Sequence, residues 1–168
     1  MRKTLFLLLI FLGTFLQAST LQDHVPHAKQ VGHGRLTVMM IELYDISLYA
    51  PHGQFQKDQP FALELHYLKT IAGGRIVSQT IKEIKRQGFS DQKKLDEWEK
   101  RLSHIFVDVK KGIFLMGVFT KNKDTIFYRN GKEIGSISDP LFGQLFFNIW
   151  LGEKTREPNL RKKLLSLY

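Results

Sequence analysis

The chain contains no cysteine. That absence removes disulfide scaffolds, thiolate nucleophiles, sulfur-ligated zinc sites and lipid anchoring through an N-terminal cysteine. Enzyme signatures are missing too. No serine sits in Gly-x-Ser-x-Gly, and there is neither a Gly-x-x-x-x-Gly-Lys phosphate loop nor a dinucleotide fingerprint, so hydrolase and nucleotide-enzyme readings have no support. Proline is scarce, with 5 in 168 residues, and no linker, internal repeat or low-complexity tract interrupts the chain. Acid is in deficit, with 16 Asp and Glu against 25 Lys and Arg. What is present is a 43% hydrophobic composition with 13 Phe, enough to bury one core of ordinary size.

The formal charge of +9 would by itself suggest a polyanionic partner. The N-terminus redirects that reading. Arg2 and Lys3 precede the apolar run Leu5 to Leu12, and the small residues Ala18 and Ser19 follow. This is the layout of a secretory signal peptide over residues 1–18, with the folded domain over 19–168. The stretch from Thr4 to Leu16 falls short of the roughly 20 apolar residues that a spanning helix needs. An uncleaved anchor is the alternative, since Leu16 is bulkier than an ideal residue three places before the cut. Removing Arg2 and Lys3 lowers the charge from +9 to +7. An exported, periplasmic or secreted chain does not meet chromosomal DNA or RNA, so nucleic acid is set aside as a partner, and no stable transmembrane span is expected after processing.

Along the mature chain, Val31 to Tyr49 is rich in β-branched and aromatic residues, and it predicts two strands or one long bent strand. Phe61 to Tyr67 alternates with period two, as a half-buried strand does. Ile76, Val77, Ile81 and Ile84 recur at helical spacing until Gly88. Ser90 and Asp91 offer a cap for a second helix, in which Leu95, Trp98, Leu102 and Ile105 or Phe106 share one face. Strands return at Ile113–Phe119, Thr125–Arg129 and Lys132–Ile137, the last two joined by Asn130-Gly131, a strong hairpin signal. Asp139-Pro140 opens a third helix with Leu141, Phe142, Leu145, Phe146 and Ile149 as its apolar stripe. Pro158 to Leu167 reads as a terminal helix. Strands, two helices, strands and two helices in that order predict an α+β fold.

The chemistry-bearing residues are sparse. His24, His27 and His33 lie near the mature start in a segment that reads as mobile, accompanied by Asp23 alone, which argues against a metal site. His104 and Asp108 stand four apart at a helix end, a spacing better suited to a surface contact than to a catalytic dyad. Asp45, isolated in a β-like run, marks an edge or a bulge.

The segments Val31-Gly32-His33-Gly34-Arg35-Leu36, Tyr44 to Pro51, Phe61 to Tyr67, Phe127-Tyr128, Gly135, and Phe147 to Gly152 with Thr155 and Leu160-Arg161 together resemble the bacterial chalcone isomerase-like family. The resemblance spans nearly the whole mature chain. It implies a large curved antiparallel sheet packed on a layer of helices, with a ligand cleft between them. In the plant enzymes of that fold, an early-strand arginine holds the phenolate, while Tyr and Thr hydroxyls order water at the ketone where charge develops. Relatives without turnover bind fatty acids, using an arginine for the carboxylate.

Carried onto this sequence, Arg35 falls near the family arginine and Tyr44 near the catalytic threonine. Phe89 and Ile149 stand where hydroxyls are expected. Tyr49 and Asn148 complete the expected ligand-binding set. With two hydroxyl positions lost, the resemblance implies no catalytic residue, no metal and no cofactor. The function it implies is non-catalytic binding of an apolar or fatty-acid-like carboxylate. Two other readings stand beside it, an isomerase or intramolecular lyase acting on a small unsaturated ketone, and a structural or interaction module without ligand. For Arg35 the choice lies between a side chain turned inward to the ligand, helped by flexible Gly32 and Gly34, and one turned to solvent.

Overall fold

Alternation of apolar and polar residues sets the sheet. On β2 (Ile41–Pro51), Tyr44, Ile46, Leu48 and Ala50 are buried while Asp45, Ser47 and Tyr49 are only half-buried, because successive strand residues point to opposite faces. The protein, described over residues 21–167 of a computed structural model, forms one antiparallel sheet of six strands in chain order. The other strands are β1 (Ala28–Val38), β3 (Phe61–Tyr67), β4 (Phe114–Phe119), β5 (Thr125–Arg129) and β6 (Lys132–Ile137). The expected signal peptide lies outside the described residues.

Between β3 and β4 the chain leaves the sheet to build α1 (Gly73–Arg86) and α2 (Gln92–Ile105), then returns to pair with β3. After β6 come α3 (Pro140–Leu151) and α4 (Pro158–Leu164). The α+β architecture of the resemblance is thus the observed one. The caps follow the sequence: Asp91 accepts from Lys94 N at 3.1 Å, and Asp139 accepts from Leu141 N at 3.0 Å. Val77, Ile81 and Ile84 of α1 and Leu95, Trp98 and Leu102 of α2 form the apolar faces and are buried.

One open local expectation is decided and two change. The Val31–Tyr49 stretch is two strands, starting earlier at Ala28 and turning at Met39-Met40, a pair that carries no ordinary turn signal. The segment that read as mobile before Gly32 is packed. Val25, at 0% exposure, joins Ala62, Met116, Val118 and Tyr128 in a small second core on the sheet face away from the helices. The terminal helix ends at Leu164.

Aromatic rings fill the space between sheet and helices. Phe61 meets Phe147 at 4.8 Å, Phe127 meets Phe146 at 5.3 Å, and Trp98 meets Phe142 at 5.5 Å, all edge-on. Such offset contacts add to what area burial already contributes.

Candidate functional site

Among the described residues the inner face of the sheet carries two polar spots, the buried Thr125 hydroxyl, which has no hydrogen-bond partner and lies against Gly143 of α3, and a tyrosine pair on β2 and β3. Tyr44 and the cross-strand Tyr67 hold their rings 5.5 Å apart, and Trp150 of α3 donates its indole N–H to the Tyr44 hydroxyl at 3.0 Å. Burial pushes both phenols well above their ordinary range, so each is a neutral hydrogen-bonding group at any physiological pH. Neither is a ready base.

Close to Tyr44, which feels its charge, lies Glu83 of α1, a carboxylate of a residue only 5% exposed. It accepts from Arg86 Nε at 2.7 Å, Arg156 Nε at 2.8 Å and Gln79 Nε2 at 3.0 Å. A buried carboxylate persists only when its lone pairs are met in this way. Arg86 also donates to the Lys154 carbonyl, and Lys154 Nζ to the Gln87 carbonyl at 3.0 Å, so the cluster ties α1 to the α3–α4 connection. Sequence reading missed Glu83. The spacing of Gln79, Glu83 and Arg86 along one helix was visible, but Arg156 comes from a distant segment.

The expected site residues do not converge. Tyr44 faces the helices. Phe89, half-buried, stacks on Trp98 at 5.0 Å and serves packing. Ile149 and Asn148 are half-buried on α3, where the Ile149 carbonyl accepts from Thr155 Oγ1 at 2.7 Å. Arg35 and Tyr49 lie on the opposite face. The Arg35 guanidinium contacts Asp45 at 2.6 and 3.0 Å and Glu42 at 2.8 Å, with 43% of its side chain exposed. That pairing holds the Asp45 carboxyl below its usual range. Tyr49, whose phenol is raised by burial, neighbours Ser47 and Glu64 there.

The inward turn of Arg35 is therefore corrected. Strand alternation gives the inner face to Gly32 and Gly34, and α4 occupies the space their missing side chains leave. A Cβ on Gly32 would stand 2.1 Å from the Lys163 carbonyl oxygen, and one on Gly34 would stand 2.5 Å from Leu160 Cδ1. The glycines admit a helix rather than steer an arginine. Arg35 instead lines an open depression of about 550 Å³ with His33, Asp45, Ser47 and Lys163 at the β1 edge. Asp45 is its cross-strand partner and sits two residues from the irregularity at Leu43.

The histidines also disperse. His24 pairs with the Tyr128 hydroxyl at 2.8 Å, His27 stacks on His52 at 4.9 Å, and His33 meets Gln30 at 3.2 Å. Among the described residues no group of three or more His, Cys, Asp or Glu is placed to hold a metal. His104 bonds the Lys100 carbonyl at 2.7 Å and Asp108 accepts from Gly73 N at 2.9 Å, so the two do not pair. No helix among the described residues is long and apolar enough to cross a membrane.

A family model described as chalcone isomerase-like matches residues 26–166. No curated protein sequence matches the chain. The crystal structure of an Arabidopsis thaliana fatty-acid binding protein superimposes with a TM-score of 0.64 at 11% identity, over 83% of this chain and 87% of that one. At that identity the likeness speaks for the fold. Sequence match and sheet-on-helix architecture agree, and the chain belongs to the chalcone isomerase-like family.

Proposed function

We propose that this is an exported, non-catalytic protein that holds an apolar or fatty-acid-like ligand between its sheet and its helices. The observation that carries the reading is the inner face itself, where the Tyr44 hydroxyl, held by Trp150, stands within an interior of aromatic and aliphatic side chains. An amphipathic molecule matches that pattern, its polar end at Tyr44 and its apolar part among the phenylalanines. The fatty-acid binding title of the structural neighbour points the same way. Export rests on the residue pattern of positions 1–18.

Turnover is disfavoured by chemistry. Phe89 and Ile149 offer no hydroxyl to a developing enolate, and Arg35 stands on the other side of the sheet from Tyr44. One observation favours the module without ligand: the rings between sheet and helices already touch, so a guest must displace half-buried side chains such as Phe89, Leu145 and Ile149.

Native mass spectrometry of the protein taken from its own cell envelope separates the two. A bound amphipathic carboxylate on a chain lacking about 18 residues is expected. Bare polypeptide mass would leave the filled-core module. With ligand present, Tyr44→Phe should lower affinity about 5- to 10-fold, the worth of one hydrogen bond. Arg35→Ala should leave affinity unchanged.

A further inference from the structure

The same turn occurs twice in this fold with opposite chemistry. At β5–β6 the two central residues are Asn130 and Gly131, with φ of 49° and 80° between the paired Arg129 and Lys132. That left-handed geometry favours Asn and Gly because neither suffers much from positive φ. At β1–β2 the paired Val38 and Ile41 flank Met39 and Met40, with φ of 49° and 64°. Two unbranched apolar side chains are thus held in a conformation that suits them poorly, and both are almost bare to solvent, at 89% and 95% exposure. Val38 and Ile41 are exposed as well, making four consecutive apolar residues at a strand tip. An observed outlier of this kind, with no packing role, points to function.

The tip projects. Tyr44 is the first residue of β2 to pair with β3, opposite Tyr67 at the end of that strand. The Leu68 N–H still reaches the Leu43 carbonyl at 2.9 Å, so Ile41 and Glu42 overhang the neighbouring chain by roughly 7 Å at about 3.3 Å per residue.

The end of the sheet that carries the tip is basic. It also carries the end of β3, the start of β4 and the β5–β6 turn. Gly112 N bonds the Tyr67 carbonyl at 2.8 Å, and Asn130 N bonds the Phe114 carbonyl at 2.9 Å. This end presents exposed Lys69, Lys110, Lys111 and Lys132, with Arg129 beside them. The acids there are Asp108 and Glu133, while Glu42 is taken up by Arg35.

We propose that the Val38–Ile41 tip is a membrane-docking wedge, which enters the interface of an anionic lipid bilayer while the lysines at the same end of the sheet meet its headgroups. Apolar side chains on a protruding tip gain by entering the headgroup–acyl boundary, whose depth of roughly 5–10 Å the overhang matches. Each lysine held near an anionic surface adds electrostatic attraction that salt screens. The proposal is independent of any ligand between sheet and helices.

The lack of cysteine allows a single reporter. Met40→Cys in the full chain, labelled with a nitrobenzoxadiazole dye, is mixed with vesicles of phosphatidylglycerol and phosphatidylethanolamine, and separately with phosphatidylcholine alone. The comparison chain carries the label at Lys57→Cys, in the loop at the far end of the sheet. Expected is a blue-shifted, about threefold or greater rise in emission at position 40 with the anionic vesicles, reduced by salt, and little change at position 57. No rise at position 40, an equal rise at both positions, or an equal response to the neutral vesicles overturns the proposal. With the label moved to Thr37→Cys, Met39→Asn/Met40→Gly, which installs the favoured turn and so keeps the fold, should abolish the response. Its persistence overturns the assignment to the two methionines.

Discussion

Asp139 shows how one side chain can serve several neighbours. Its carboxylate caps α3 through Leu141 N, accepts from Lys94 Nζ at 2.8 Å and from Trp98 Nε1 at 3.2 Å, and so ties α2 to the start of α3. Partial burial opposes its ionisation, but Lys94 and the helix amides outweigh burial and hold it below its usual range. A carboxylate whose folded value lies below its unfolded one contributes stability that is present above about pH 4 and lost as pH falls through the folded value. Asp139→Asn keeps a capping oxygen and removes the charge. Its unfolding midpoint in urea is therefore expected to fall less steeply than wild type between about pH 4 and pH 2. Identical acid limbs would remove Asp139 from the account of acid stability. Arg35 is the contrasting case, a guanidinium fully engaged with two carboxylates at the surface, where such pairs stabilise little.

Among the elements, the contact between β1 and α4 is the most exacting. β1 is an edge strand, and edges need cover. Here the cover is α4, which settles onto Gly32 and Gly34 while Ser166 Oγ donates to the Val31 carbonyl at 2.6 Å. Because the atoms that a Gly32 Cβ would strike are backbone carbonyls of Lys163 and Leu164, no side-chain rotation can relieve the clash. Gly32→Ala is expected to lower stability by about 2–3 kcal/mol, read by urea unfolding, and to loosen α4 in hydrogen exchange. Gly34→Ala meets only the flexible end of Leu160 and should cost less. Equal effects at both positions would mean that α4 is free to shift.

At the scale of the whole molecule, the sheet is covered on both faces by unequal layers. The helices bury the inner face. On the outer face, the segment from Leu21 to Ala28 crosses Ala62, Met116, Val118 and Tyr128, with Val25 as its buried anchor and the His24–Tyr128 bond beside it. Removing two methyls there should be felt by the whole fold if the segment belongs to its cooperative unit. Val25→Ala is expected to cost about 1.5–3 kcal/mol with an unchanged denaturant slope. A near-zero loss would mean that the segment opens independently of the sheet.

How much of this was legible in the chain follows from the range of each signal. The α+β order, the Asn130-Gly131 hairpin and the Asp91 and Asp139 caps were readable because turns, caps and amphipathic faces are written in neighbouring residues. The family was readable from spaced segments along the whole chain. The β1–β2 turn was not readable at Met39-Met40, since a local propensity there was overridden by the pairing of the strands on either side. Arg35 illustrates the deeper limit. A shift of one residue in register exchanges the faces of a strand, so its outward direction was decided by pairing with Asp45 and by α4 arriving over Gly32 and Gly34. The Glu83 clasp with Arg156 and the placing of lysines at the sheet end that carries the Met39-Met40 tip likewise bring together residues far apart in sequence. Short-range chemistry in the sequence by itself determined the elements, and the order of segments along the chain carried the family resemblance. Only the tertiary structure decided which face, which partner and which end of the sheet each functional side chain would occupy.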